Sequence, residues 1–249
     1  EILVNANEPI PPIILFLHEE RLETKLQKTL IKKQLLHSIV FVSKTAQAKQ
    51  ELLPELAEIA RIIHPPYLAP SDLPQKTSHN SFILGAISPL LPNQGYETLL
   101  RAYHASKELL PHVRIILLGD GPEKKQLLWL IDHLHLRKDV QIVSRQDHYE
   151  RFITNFDVFI APQEQLAWRP GILHAWSQGI PVIVTKEGCH EELVQHGENG
   201  LVFEAGNSAM LAQHLINLYN HEDWMNHYRD IGPKTIQEQY SLDRFHAEL

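Results

Sequence analysis

FDVFIAPQEQLAWRPGILHAWSQGIPVIVTKEGCHEELVQHGENG, residues Phe156–Gly200, decides the fold. Val158, Phe159, Ile160 and Ala161 form an apolar run short enough for a buried strand, and Pro162 ends it. Pro170 suits the first position of a helix, where its missing N–H costs nothing and its fixed φ is already helical. Ile172, Leu173, Ala175 and Trp176 then recur at helical spacing. Gly179 stops the helix, and Pro181–Val184 is a second buried strand. The stretch therefore predicts a strand–loop–helix–strand unit. In a parallel α/β sheet, ligands bind at the loops following the strands' carboxyl ends, so the loop 163–169 is the first candidate for chemistry.

The same alternation extends to both sides. Upstream, Ile13–Leu17 reads as a strand and Arg21 to Leu36 as a helix with leucines at 22, 26, 30, 35 and 36. Ser38–Val42 follows as a strand. Ser43 is placed to cap a helix Thr45–Leu53, and Ile59–Ile63 is a further strand. Pro65, Pro66, Pro70, Pro74 and the polar run Gln75–Asn80 mark a domain boundary. Beyond it come strands at Phe82–Ile87, Val113–Leu118 and Val140–Val143. Helices are expected at Tyr96–Leu109, Lys124–Leu134 and His148–Asn155. Leu201–Phe203 is a last strand, before helices at Ser208–Tyr219 and Glu222–Tyr228 and a tail helix from Pro233. Strand and helix taking turns predicts an α/β protein with a doubly wound, Rossmann-like parallel sheet and a partial second Rossmann-like domain. The expected domains are 1–74, 75–232 and a tail, 233–249.

Composition narrows the function classes. The chain has 249 residues, enough for one large domain or two small ones. A net charge of −7 disfavours nucleic-acid binding through a basic face. Cys189 is the only cysteine, which excludes an intramolecular disulfide and a cysteine metal cluster. The 16 histidines show no His-x3-His pair with a carboxylate, and they read as solvated surface groups. No apolar run has the length of a membrane helix and no signal peptide is visible, so the expectation is a cytoplasmic protein. Lysines 25, 28, 32 and 33 leave two readings of the first helix, a solvated face or a peripheral contact with an anionic inner membrane face. Glu1 at the start suggests a processed or trimmed chain.

Gly119-Asp120-Gly121-Pro122 joins a strand to a helix. Its glycines permit a tight turn and close backbone approach to a ligand, and a helix N-terminus favours an anion. Many strand–helix turns look like this, so the signal is weak alone. It lacks the third glycine of G-x-G-x-x-G and the G-K-[ST] of a Walker loop, which disfavours a dinucleotide dehydrogenase and a P-loop nucleotidase.

The order of pieces is more specific. Gly85 and Ser88-Pro89 come first, then Gly95–Ala102 (GYETLLRA) and Gly119–Pro122. Asp157–Pro162 (DVFIAP) follows, then Ala175–Val182 (AWSQGIPV), Glu192–Val194, and His196–Val202 (HGENGLV). In this order the chain from Ile83 to Phe203 resembles the C-terminal, donor-binding domain of a GT-B fold glycosyltransferase of family 4. Tyr240–Phe245 resembles that family's terminal helix, and residues 10–68 resemble the second half of its N-terminal domain.

The resemblance implies a nucleotide-diphosphate-sugar donor, a glycan or lipid acceptor, retaining transfer, and no required metal or other cofactor. It implies donor contacts from Gly85, Gly119, Gly121, Glu164, Arg169, Gly171, His174 and Glu192. Several positions depart from the family pattern. The diphosphate-binding arginine falls on Ala86 and the lysine on Gln94. The two sugar- and ribose-binding glutamates fall on Leu166 and His174. Glu164 is near enough to Leu166 to substitute from a shifted loop, and Arg169 could replace the lost cations or simply brace its loop. Glu192 has a structural and a donor-binding reading, Asp120 a turn-bracing one, and Trp168 a stacking or loop-anchoring one. His18 matches no catalytic position, and no catalytic residue is assigned. Two functions follow: a glycosyltransferase, incomplete or degenerate here, and a non-catalytic pseudo-glycosyltransferase acting as a binding or partner subunit. A sugar-phosphate epimerase of similar shape lacks a matching His and carboxylate set.

Overall fold

The computed structural model describes residues 13–17, 22–33, 36–70, 76, 80–144, 149–163, 170–187 and 190–249. All its named strand pairs are parallel. The chain divides into two units at Pro65/Pro66, within the proline-rich stretch, and Phe245–Leu249 belongs with the first unit.

In the first unit, β1 (Ile13–Leu17), β2 (Leu36–Phe41) and β3 (Ala60–Ile62) form a sheet in that order. Helix α1 (Thr24–Lys33) joins the first two strands, and the short α2 (Lys44–Ala48) and α3 (Pro54–Ala57) join the others. The Ser43 hydroxyl accepts from Ala46 N–H at 3.0 Å, capping α2 as its residue type predicts. That helix is only one turn long and does not reach Leu53. The leucine stripe expected through residue 36 is also corrected. Leu36 opens β2, and Leu26 stands 47% exposed on α1. The buried residue of α1 is Gln27. Its Nε2 donates to Leu22 and Glu51 carbonyls at 2.8 and 2.9 Å, and its Oε1 accepts from Leu53 N–H at 2.9 Å. A fully satisfied amide can take an interior position that periodicity assigns to leucine.

The second unit holds a six-stranded sheet. In chain order its strands are β4 (Phe82–Ile87), β5 (Val113–Leu118), β6 (Val140–Val143), β7 (Val158–Ala161), β8 (Val182–Thr185) and β9 (Leu201–Phe203). Across the sheet the order is β6-β5-β4-β7-β8-β9. This is the doubly wound arrangement, with the chain reversing direction between β4 and β7. Apart from the exposed Arg114 of β5 and Gln141 of β6, the strands are largely apolar on both faces, because both faces are covered. On one face Leu84, Ala86, Ile115 and Leu117 pack with Leu99 and Tyr103 of α4 (Tyr96–Ser106), Leu130 of α5 (Lys124–His133) and Leu215 of α9 (Ser208–Asn220). On the other, Phe159, Val182 and Val184 pack with Ile153 of α6 (Glu150–Ile153), Trp176 of α7 (Pro170–Ser177) and Leu193 of α8 (His190–Leu193).

Pro233 does not open a separate tail helix. A single helix, α10, runs Glu222–Gln239 straight through it, and α11 (Leu242–Glu248) follows. The ring of Pro233 is exposed, so it meets no packed neighbour, and the helix forgoes one hydrogen bond at that turn. The adjacent Gly232 is buried against Trp176, where a Cβ would stand 3.0 Å from Cδ1.

The edge strand β9 turns the N–H and C=O of Val202 away from β8. Two imidazoles meet them: His196 Nδ1 accepts from Val202 N at 3.0 Å, and His214 Nε2 donates to Val202 O at 3.0 Å. Burial holds the His214 pKa below its ordinary 6.5. The unfolded chain therefore binds the proton first as pH falls below about 6.5, and this site loses stability on acidification. Above that pH it contributes no slope. The melting temperature is expected to fall between pH 7 and pH 5, and to fall less steeply in His214→Gln. Equal slopes by calorimetry would refute the assignment.

Candidate functional site

The reversal between β4 and β7 leaves the carboxyl ends of both strands uncovered by a crossover. A cavity of about 250 Å³ opens there. Ile87, Ser88 and Pro89 approach it from β4, Leu118, Gly119 and Asp120 from β5, and Ala161 and Gln163 from β7. Pro170, Gly171 and Ile172 come from the first turn of α7, with Phe159 and Tyr149 completing the wall.

Close backbone approach builds the rim. A Cβ on Gly119 would stand 2.0 Å from the Ser88 carbonyl, and one on Gly121 2.3 Å from that of Leu90. The turn Gly119–Pro122 thus docks against the loop after β4, where Leu90 N–H donates to Asp120 O at 2.9 Å. Gly95 caps α4 at φ +69°, and a Cβ there would meet the Pro162 carbonyl at 1.8 Å. Only glycine combines that φ with that contact. Ser88 Oγ donates to Gln94 Oε1, closing the loop that leads into α4.

At the end of β7, Gln163 is fixed from two sides. Its Nε2 donates to the Ile87 carbonyl at 3.2 Å, and its own carbonyl accepts from the Thr185 hydroxyl. That hydroxyl's single proton is then committed, so at 3.1 Å it accepts from His190 Nδ1–H, which fixes the imidazole tautomer. Asp157, at the other end of β7, takes Ile83 N–H at 2.8 Å and pairs with Lys76 at 2.7 Å. It ties β7 to β4 and stands apart from the cavity.

The expected site residues separate under this geometry. Gly119, Gly121 and Gly171 meet at the crevice: Gly119 and Gly171 line the cavity, and Gly121 shapes the turn beside it. Gly85 lies mid-strand, where the Phe156 ring occupies the space of a Cβ at 2.0 Å. Its role is packing. His174 is 2% exposed on α7, and its Nδ1 lies 2.5 Å from the Tyr67 hydroxyl. It does not line the cavity. Glu192, half-buried in the first turn of α8, does not line it either. Glu164, Leu166, Trp168 and Arg169 lie outside the described residues. Asp120 lines the cavity and pairs with Lys124 at 3.2 Å, in keeping with a turn brace. Lys186 pairs with Glu204 at 3.3 Å, away from the cavity. Gln163 opens the loop 163–169 singled out by sequence but was not named as a contact, and Tyr149 was not picked out at all. Nothing in a lone glutamine or tyrosine next to a loop marks it as lining a cavity.

Chemically, the described wall is mostly apolar, with Ser88, Asp120, Gln163 and the hydroxyl-bearing Tyr149 as its polar side chains. Among the described lining residues the only charged side chain is Asp120. Gly171 and Ile172 belong to a helix first turn, whose N–H groups have no partner within the helix and favour negative charge. Among the described residues no cluster of three or more His, Cys, Asp or Glu is placed to hold a metal ion. No helix among them is long and apolar enough to cross a membrane.

Residues 72–237 match the family "Glycosyl transferases group 1". The chain belongs to that family. It is 27% identical over 131 residues to an N-acetyl-alpha-D-glucosaminyl L-malate synthase of Bacillus anthracis, covering 53% of this chain and 34% of the relative. It is 27% identical over 174 residues to the lipopolysaccharide core biosynthesis glycosyltransferase LpsE of Rhizobium meliloti, covering 70% of this chain and 48% of that one. The chain thus spans less than half the length of these two curated relatives. Its fold superimposes on Anabaena HepE solved with UDP, with a TM-score of 0.76 at 21% identity, covering 95% of this chain and 70% of HepE. The GT-B, Rossmann-like architecture expected from sequence is the one found.

The packing role of Gly85 gives a direct test. Gly85→Ala forces a methyl into the Phe156 ring, an overpacking that costs roughly 1–3 kcal/mol. Urea unfolding should show that loss. A variant of unchanged stability would show that Gly85 is not held by packing.

Proposed function

We propose that this chain is the donor-binding part of a glycosyltransferase that moves a sugar from a nucleotide-diphosphate sugar to a glycan or lipid acceptor. The observation carrying this reading is the cavity at the sheet reversal, formed by the loops after β4, β5 and β7 and the start of α7. Family membership and the position of that cavity support it together. HepE was solved with UDP, which makes a uridine diphosphate sugar the first donor to test. The α7 first turn favours the diphosphate by its dipole. Glu164, Arg169 and Glu192 are further proposed contacts, and the reaction is proposed to be retaining and to require no metal.

A second reading is a non-catalytic relative that binds a glycan or partner. One observation favours it: no cation is found among the described cavity-lining residues. Charge-assisted contacts to a diphosphate contribute roughly 1.5–3 kcal/mol each, so their absence would weaken donor binding strongly.

A thermal-shift panel with UDP, GDP and ADP sugars separates the readings. Ligand at a hundred times its Kd stabilises by about 2.7 kcal/mol, a shift of several degrees for a chain of this size. The expected result is such a shift with one nucleotide class, followed by sugar release or transfer from that donor in the full-length protein. Binding without any turnover would favour the second reading, and no shift at millimolar ligand would overturn the first.

A further inference from the structure

Gln163 is 1% exposed, lines the cavity, and has an Oε1 that is buried without a hydrogen-bond partner. No other side-chain atom in the cavity wall shares that condition among the described residues. We propose that Gln163 is a recognition residue, whose Oε1 accepts a hydrogen bond from a hydroxyl or N–H on an uncharged part of the bound ligand. The inference deepens the donor-binding reading and rests on it.

Three features support the assignment. The amide cannot turn over, because its Nε2 donates to the Ile87 carbonyl at 3.2 Å and a flip would set two oxygens against each other. The backbone at Gln163 is also anchored, since its carbonyl accepts from the Thr185 hydroxyl. The acceptor is therefore held at a fixed place within the wall, so little further ordering is needed on binding. Among the described residues no donor of the wall reaches Gln163 Oε1: Ser88 Oγ donates to Gln94, and the neighbouring Ile87, Ala161 and Phe159 are apolar. A buried acceptor left unpaired is unfavourable, and a ligand donor is the group that would satisfy it.

The charge around the cavity selects the kind of group. Asp120 is the only charged side chain among the described lining residues, and it is an acceptor as well. Around Gln163 the described wall offers these two acceptors and no cation of its own, which suits a hydroxyl-rich, uncharged moiety better than a phosphate. In a nucleotide sugar two sources fit: a hydroxyl of the transferred sugar, or a ribose hydroxyl or base N–H of the nucleoside.

Titration calorimetry of the whole chain tests this with UDP-glucose, UDP, uridine and glucose as probes. Gln163→Met keeps the length of the side chain and removes the acceptor. It is expected to weaken binding roughly five- to tenfold. Loss with UDP-glucose but not UDP places the donor hydroxyl on the sugar. Equal loss with both places it on the nucleoside. Gln163→Glu also loses the bond to Ile87 but keeps an acceptor, so for uridine or glucose it should bind more tightly than the Met variant. If Met and Glu weaken these neutral probes equally, Gln163 acts only as a brace and the proposal falls. Unchanged affinity in Gln163→Met also overturns it. Wild-type binding of uridine or glucose, sensitive to Gln163→Met but with no binding of UDP or UDP-glucose, would sustain Gln163 and overturn the nucleotide-diphosphate reading. Binding of none of the four would overturn both.

Discussion

The reversal of strand order between β4 and β7 is the constraint on which the larger unit depends. Neighbouring parallel strands elsewhere in a doubly wound sheet share a direction of crossover, so helices and their loops close over the strand ends. At β4 and β7 the crossovers leave toward opposite faces. α4 and α5 pack on one side and α6 and α7 on the other. The ends of these two strands are left without a covering connection, and the cavity is the direct result. Polar links cross the gap among the described residues. Gln163 reaches Ile87 on the far strand, and Thr185 holds Gln163 from behind.

Such a crevice is useful only if its rim is rigid, and the rim is made rigid by backbone lying on backbone. Gly119, Gly121 and Gly95 each stand where a Cβ would overlap a carbonyl oxygen. These contacts draw the loops after β4, β5 and β7 together without any side chain between them. The residues of the rim therefore fix shape and leave chemistry to the few side chains that point inward. A motif such as Gly119–Pro122 is specific for a geometry, and the same geometry can hold more than one ligand.

The sequence was most legible where one physical demand dominates. Strands buried on both faces must be mostly apolar, so Phe82–Ile87 and Val113–Leu118 are legible to the residue, the second despite the exposed Arg114. It was less legible where two demands compete. Gln27 occupies a core position because three hydrogen bonds satisfy it, and periodicity alone puts leucine there. Pro233 suits the start of a helix, yet α10 runs through it, giving up one hydrogen bond at that turn. The candidate site shows the same limit. Gly119 and Gly171 line the cavity, at strand–helix turns that are legible in sequence. Gly85 resembles them in sequence, but the ring it accommodates, Phe156, is 71 positions away (156 − 85). His174 lies on the helix that opens at the cavity, and only the structure shows its ring bonded to Tyr67.

The stretch Phe156–Gly200 carries both the frame and the variable part of this site, and the two are anchored separately. Trp176 is fully buried under α10, and its Nε1–H donates to the Asn199 carbonyl at 3.0 Å. Asn199 in turn takes Gln195 N–H at 2.7 Å and donates to Leu193 O at 3.1 Å. Gly232 lets α10 settle directly onto the indole. These contacts fix α7 from its far end, more than one helical turn from the residues at the cavity mouth. Side chains at the mouth can therefore differ from those of related proteins without loosening the helix that presents them. The proposed chemistry lies at the mouth, where Gln163 lines the cavity, and not in the anchored end.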